Sequence, residues 1–486
     1  DHPFEPCPYR PVSRLFWNDF YLAVDRIPEW GMCSAARELW ESGHTQQVVA
    51  RWKAEPLVDY AEVMALKRRA LEELCRFFFQ RAGSERREGL AAYLRNRGDA
   101  LGYAAFRARV EEMGADWRYW PDRRRAKTVS PTGPEELSEA GRYHLFCQWQ
   151  MEEQLSGMSE DPTRSKARED GRSAGLFLDL PVGVHPGGFD PWEWSSLFVS
   201  GMSTGAPPDD FFAAGQRWDS PPLHPERIRE EGHSYHARVL RHHMHHAAYL
   251  RLDHVMWLHR LFWVPEGREA HEGVYVDYPA EELYAVLCLE SHRNSTVVVG
   301  EDLGTVPRGV RQGMRRHGLL GTWVMQGAVK LRGARTLAPV PRHVVAALGT
   351  HDMFPLAGFL GGGDINARVQ TGQVRPEAAP RAAAARRRLV DRLSMFLLGQ
   401  PFTGSASDLL RGALGFLGAS QAAFLLVNLD DLLLETEPQN LPGTGTECAN
   451  WRRRSRASVI DVQRGIEKAG EWLATKPIPL RTIGKR

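Results

Sequence analysis

The amino-acid sequence predicts an α/β fold, a (β/α)8 TIM-type barrel with helical insertions, and three observations predict it. From Leu176 onward, apolar runs of strand length alternate with helical segments, the rhythm of a parallel α/β sheet. Three of these runs end in acid: Tyr249-Leu-Arg-Leu-Asp-His254, Thr296-Val-Val-Val-Gly-Glu-Asp302 and Val344-Val-Ala-Ala-Leu-Gly-Thr-His-Asp352. Parallel strands covered on both faces read as continuous apolar runs, and barrel chemistry collects at their C-terminal ends. Asp253, Glu301 and Asp352 are therefore expected to face one pocket. The third observation is a long helical pattern placed ahead of the strands, as an insertion would be.

Taken in order, residues 1–30 read as a loop segment rich in proline and aromatics. Residues 31–155 read as a helical subdomain, because apolar side chains recur every three or four positions over 56–83 and 103–114, and again over 135–155. A polar, charge-rich linker follows over 156–173, opening a catalytic portion that spans 156–486. Six strands are expected there, at 176–180, 249–252, 297–300, 322–325, 344–348 and 422–427, with helices over 225–248, 280–292 and 381–398. Six is two short of a closed barrel. The stretch 205–222, dense in proline, glycine and aromatics and without helix or strand period, is expected to be an ordered loop over the groove.

Composition excludes several classes. The chain has 486 residues and 62 Lys plus Arg against 60 Asp plus Glu, a net charge of +2, which gives no field for nucleic acid or an acidic membrane. Fifteen tryptophans and twelve tyrosines offer flat faces on which sugar rings stack, although large cores use them too. The six scattered cysteines form no C-x-x-C pair, as expected of reduced thiols in a cytoplasmic protein. No apolar run approaches a membrane span.

Three carboxylates suffice for retaining glycoside chemistry: a nucleophile, an acid/base and a group that stabilises the transition state. Arg251, two residues before Asp253 and on the same side of its strand, would keep the nucleophile ionised. Glu301 closes a buried run, where desolvation raises a carboxyl towards a usable acid. His351 can donate to sugar hydroxyls. Any one of these acids could instead be a cap or an ion-pair partner, but three at matching strand ends favour a site. Asp302 reads as a loop organiser.

At this point the chain resembles the 4-alpha-glucanotransferases, the amylomaltases or disproportionating enzymes, a retaining glycoside hydrolase family of the alpha-amylase clan. The motifs that carry the resemblance run in order along the chain: Pro8-Tyr9 with Ser13 and Asn18; Asp179-Leu-Pro with Asp190 and Trp192; Gly205-Ala-Pro-Pro-Asp-Asp-Phe and Gly215-Gln-Arg-Trp; Arg251-Leu-Asp-His; Gly300-Glu-Asp-Leu-Gly; Gly349-Thr-His-Asp; and Asn440-Leu-Pro-Gly-Thr with Asn450-Trp-Arg-Arg. The resemblance implies a nucleophile at Asp253, an acid/base at Glu301 and a stabiliser at Asp352. It implies substrate contacts from Tyr9, Asp209, Phe211, Gln216, Trp218, Arg251, His351 and Asn450. The implied reaction passes segments of α-1,4-glucans such as maltooligosaccharides, starch or glycogen-derived chains from donor to acceptor, with no cofactor and no metal.

The chain departs from the family pattern at Cys7, where a serine is usual, and at Met353, where many members have asparagine. The family's barrel begins with two strands ahead of the Pro-Tyr motif, so the resemblance also implies that the first two barrel strands are missing at the N-terminus. Two alternatives stand beside transfer: hydrolysis of the same glucans, and a truncated, non-catalytic glucan-binding protein. The run His242-His-Met-His-His246 invites a metal reading, but no carboxylate or cysteine is close to it in sequence, so a solvated helix face is the expectation. Basic clusters at 123–125, 386–388 and 452–456 read as solvated faces, with Arg452 and Arg453 also candidates for ordering a C-terminal loop.

Overall fold

The computed structural model describes residues 5–114, 116–121, 131–159, 175–209, 212–333 and 335–474. It divides into two compact units, one made of residues 1–207, 215–253 and 257–297, the other of 208–214, 254–256 and 298–486.

The first unit opens with three single-turn helices, Asp19–Tyr21, Val24–Arg26 and Pro28–Gly31, which agrees with a loop-like start. Helices Ser34–Glu41, Gly43–Ala54, Tyr60–Arg81, Ser84–Asn96, Asp99–Met113 and Glu139–Ser159 then form the expected helical block. Their apolar faces bury Leu71, Leu74, Phe78, Phe106, Phe146 and Trp149, and Phe78 meets Trp149 at 5.0 Å between ring centroids. The last helix runs through Ser156, so the start of the expected linker is helical, while 160–174 lies outside the described residues.

The strands in chain order are β1 (Leu176–Leu180), β2 (Met202–Ala206), β3 (Gln216–Arg217), β4 (Ala247–Leu252), β5 (Arg260–Pro265), β6 (Val274–Asp277), β7 (Val297–Gly300), β8 (Gly321–Val324), β9 (Val344–Ala347) and β10 (Phe424–Leu426). The six anticipated runs are all strands, with ends shifted by up to two residues. In the first unit β1 lies parallel to β4, and the register sets Asp179 opposite Arg251. In the second unit β8, β9 and β10 lie parallel in the order β10-β9-β8. Leu320, just ahead of β8, is bridged in parallel to Val299 of β7.

Four strands were not anticipated. An antiparallel sheet in the order β3-β2-β5-β6 belongs to the first unit. It corrects the reading of 205–222 as loop throughout, because β2 extends to Ala206 and Gln216 and Arg217 pair with it. A Cβ on Gly205 would stand 2.2 Å from the Gln216 carbonyl oxygen, so only glycine permits this pairing. The sheet eluded pattern reading because β2 buries Ser203 and Thr204 while β6 is largely exposed; neither strand alternates apolar with polar.

The helix expected over 225–248 is two, Pro225–Glu230 and Ser234–His246, broken at Gly232 and His233 with φ of 67° and 57°; Ala247 and Ala248 already belong to β4. The helices expected at 280–292 and 381–398 are present as Ala280–Asn294 and Ala379–Leu398. In the second unit one apolar core gathers Val344, Ala346 and Leu348 with Leu393 and Leu397 and with Leu409, Leu410, Ala413 and Leu414. The fold is therefore α/β. Among the described residues no helix is long and apolar enough to cross a membrane.

Candidate active site

The first unit carries one cluster, at the C-terminal ends of β1 and β4. Asp253 follows β4 directly, and its backbone N–H donates to the Leu180 carbonyl at 3.1 Å, which extends the parallel ladder by one bond. Arg251 Nη1 lies 3.0 Å from Asp253 Oδ1, as expected for residues two apart on one strand, and donates to both carboxylate oxygens of Asp179 at 2.7 Å. Burial works against the Arg251 cation, but the Asp179 and Asp253 charges outweigh it and raise the guanidinium above its ordinary range. Tyr9 donates its hydroxyl to Asp179 Oδ2 at 2.5 Å. Burial first, and the Asp179 charge next, push that phenol far above its usual range, so Tyr9 is a neutral donor. Cys7 is a free thiol whose pKa is raised by burial.

A second network joins the Ser13 and Asp190 motif positions. Asp190 is wholly buried and accepts from the Ser13 hydroxyl, from the Arg14 backbone N–H at 2.9 Å and from the Tyr235 hydroxyl at 2.6 Å. The Arg14 guanidinium in turn donates to the Val182 carbonyl at 2.8 Å. These bonds fasten the N-terminal segment to the turn after β1, the strand that carries Asp179.

The second unit carries the other two acids. Glu301 follows β7, and both its oxygens are held by backbone: Oε1 accepts from Leu303 N–H at 2.7 Å and Oε2 from His254 N–H at 3.0 Å. His254 has φ of 45°, a left-handed conformation uncommon for a residue with a side chain, and burial pushes its imidazole down to about 4. A Cβ on the preceding Gly300 would fall 2.7 Å from Met314 Cε and 2.8 Å from Val255 Cγ2. Glycine is thus required where the strand end packs most closely. Asp302 is a loop organiser: Oδ1 accepts from Thr322 N–H and Oδ2 from Arg311 Nε, each at 2.8 Å.

Asp352 lies at the turn after β9. Its backbone N–H is capped by Thr350 Oγ1 at 3.2 Å, its Oδ1 accepts from Asn440 Nδ2 at 2.7 Å, and its Oδ2 lies 3.4 Å from His351 Nε2. The His351 ring meets the Trp451 ring at 5.4 Å. Asn450 turns inward on its own loop, accepting from Leu441 N–H at 2.9 Å and donating to Thr444 Oγ1 at 2.9 Å. Arg453 pairs with Asp430 at 2.7 Å and Glu435 at 3.2 Å, and Gln439 donates to Asp430 at 3.1 Å, which anchors the loop that presents Asn440.

Of the loop candidates, Asp209 Oδ1 accepts from Phe212 N–H at 2.6 Å, and Gln216 Oε1 accepts from Trp218 Nε1 at 3.2 Å. Phe211 lies outside the described residues. Within the first unit, then, the structure groups Tyr9, Arg251 and Asp253; within the second it groups Asp352 with His351. Sequence reasoning left Asp179, His254 and Asn440 out of the site. Asp179 had a legible signal, an acid near the end of an apolar run. The roles of His254 and Asn440 depend on a backbone amide and a distant loop.

A comparison with known proteins bears on this arrangement. The family model described as 4-alpha-glucanotransferase matches residues 2–459. A 4-alpha-glucanotransferase of Mycobacterium tuberculosis is 34% identical over 467 residues, covering 93% of this chain and 62% of the relative; that of Haemophilus influenzae is 30% identical over 480 residues, covering 92% and 67%. The chain thus spans 62% of the length of the mycobacterial relatives it matches. Among solved structures, an amylomaltase from Corynebacterium glutamicum superposes with a TM-score of 0.81 at 26% identity, over 97% of this chain and 67% of that one. An amylomaltase from Streptococcus agalactiae in complex with acarbose gives 0.73 at 19% identity, over 97% and 89%, a likeness of fold. With a family model matched over most of its length and these relatives, the chain belongs to the 4-alpha-glucanotransferase family.

Proposed function

We propose that the chain transfers α-1,4-glucan segments between maltooligosaccharides by a retaining double displacement on a (β/α)8-type scaffold. In the first half, an Asp253 carboxylate oxygen attacks the anomeric carbon. The bond to the leaving oxygen breaks, and Glu301 gives that oxygen its proton. In the second half, the acceptor hydroxyl returns a proton to Glu301 while its oxygen takes the anomeric carbon from Asp253, so the stereochemistry is retained. Asp352, oriented by Asn440, stabilises the oxocarbenium-like charge and holds sugar hydroxyls. Tyr9, Asp209, Phe211, Gln216, Trp218, Arg251, His351 and Asn450 line or shape the sugar subsites.

The observation that carries this reading is the 3.0 Å ion pair from Arg251 to Asp253 at the end of a buried strand. A cation there keeps the nucleophile ionised at neutral pH. Family membership supports the substrate class. The test is disproportionation of maltotriose: product ladders longer and shorter than the substrate are expected from the chain, and Asp253→Asn should lower kcat by about 10³-fold or more. Undiminished turnover in that variant rejects Asp253 as nucleophile, and glucose release without longer products rejects transfer.

A further inference from the structure

The histidine run at the end of the Ser234–His246 helix is not the solvated face that its sequence suggested. His242, His243 and His246 are buried, and the Trp17 ring packs on His242 at 4.2 Å. The carboxylate that the local sequence lacks is supplied from 94 positions upstream: Glu152, on the Glu139–Ser159 helix, places Oε1 2.9 Å from His246 Nε2. His245 completes a group in which one ligand atom from each of Glu152, His245 and His246 lies within 4.8 Å of the others.

We infer that Glu152, His245 and His246 form a binding site for a divalent transition metal, with zinc its preferred occupant, clamping the two helices that carry them. Two nitrogens and a carboxylate oxygen are a zinc donor set, and tetrahedral zinc at about 2.0–2.1 Å from each donor puts the donors roughly 3.3–3.5 Å apart. The Glu152–His246 pair, hydrogen-bonded at 2.9 Å, is slightly closer than that and needs only a small opening. His245 is exposed at the end of its helix and has the freedom to close the remaining gap. On binding, the metal replaces the proton shared between His246 and Glu152, which passes to solvent.

The surroundings fit this assignment. Trp17 Nε1 lies 3.4 Å from Glu152 Oε2 and orients the carboxylate, as groups around a metal's own ligands do. The nearby Arg97 cation is engaged by Asp99 at 3.1 Å and by the Leu15 carbonyl at 2.6 Å. Arg97 also donates to His242 Nδ1 at 3.1 Å, which fixes the proton of that ring on Nε2 and removes it as a ligand. Glu152 and His245 both line a cavity of about 1580 Å³, so an ion has a path in and water can fill the fourth position.

The test uses the untagged chain, dialysed against chelator and titrated with zinc by calorimetry, beside His245→Ala and Glu152→Gln. The expected result is one zinc per chain, a melting temperature raised by about 2–4 °C in excess zinc, and affinity at least tenfold weaker in each variant. Cobalt substitution should give visible bands without sulfur charge transfer, which separates this site from the cysteines. His245 is exposed and outside the proposed catalytic groups, so its variant is expected to fold and to keep transferase activity. Stoichiometric binding unaltered by both substitutions, or binding only at millimolar zinc, overturns the inference.

Discussion

At the scale of single residues, burial decides what each acid does. Asp431 is 1% exposed, with Oδ1 accepting from Leu356 N–H at 2.6 Å and Oδ2 without a partner, and burial together with the Asp430 charge pushes its carboxyl up to about 6. The folded chain therefore holds a proton there between pH 4 and 6 that the unfolded chain has lost, and stability falls as pH rises through that window. Asp431→Asn retains the acceptor and removes the charge. It is expected to stabilise the fold by about 1–3 kcal/mol above pH 6, with the gain vanishing below pH 4, as measured by urea unfolding at several pH values. The sequence made Asp253, Glu301 and Asp352 legible because each ends an apolar run. It could not show that Glu301 is gripped by two amides, because backbone donors leave no letter in the sequence.

At the scale of elements, the N-terminal segment is held by side chains more than by backbone ladders. Asp190 satisfies a hydroxyl and an amide from Ser13 and Arg14 and the hydroxyl of Tyr235 in a fully buried setting. Asp190→Ala leaves these three buried donors without an acceptor and should cost about 3–5 kcal/mol. Asp190→Asn should cost less because an oxygen remains, and denaturant midpoints of the two variants check the order. Elements were readable where one physical rule governed them: the parallel strands by continuous apolar runs, the long helices by a 3.6-residue period. They were unreadable where contacts overrode pattern, as in β2, whose buried Ser203 and Thr204 are satisfied through bonds such as Thr204 Oγ1 to Ser220 Oγ at 2.6 Å. The histidine run was misread for the same reason, since its carboxylate partner lies on another helix.

For the molecule as a whole, near-neutrality suits the uncharged glucan substrate proposed above. With a net charge of +2 there is little long-range field to steer association. The kcat/KM for maltotriose should therefore change less than about twofold between roughly 0.05 and 0.5 M sodium chloride, in contrast to enzymes that steer ionic substrates; initial rates across that range measure it. The pairing of Arg251 with two acids bears on the same balance during turnover. On the proposed mechanism Asp253 would lose its negative charge as a glycosyl ester, and a cation with a single counter-ion would then be stranded away from water. Asp179 stands beside the same guanidinium, so the proposed covalent intermediate would form without leaving an isolated ion in the interior.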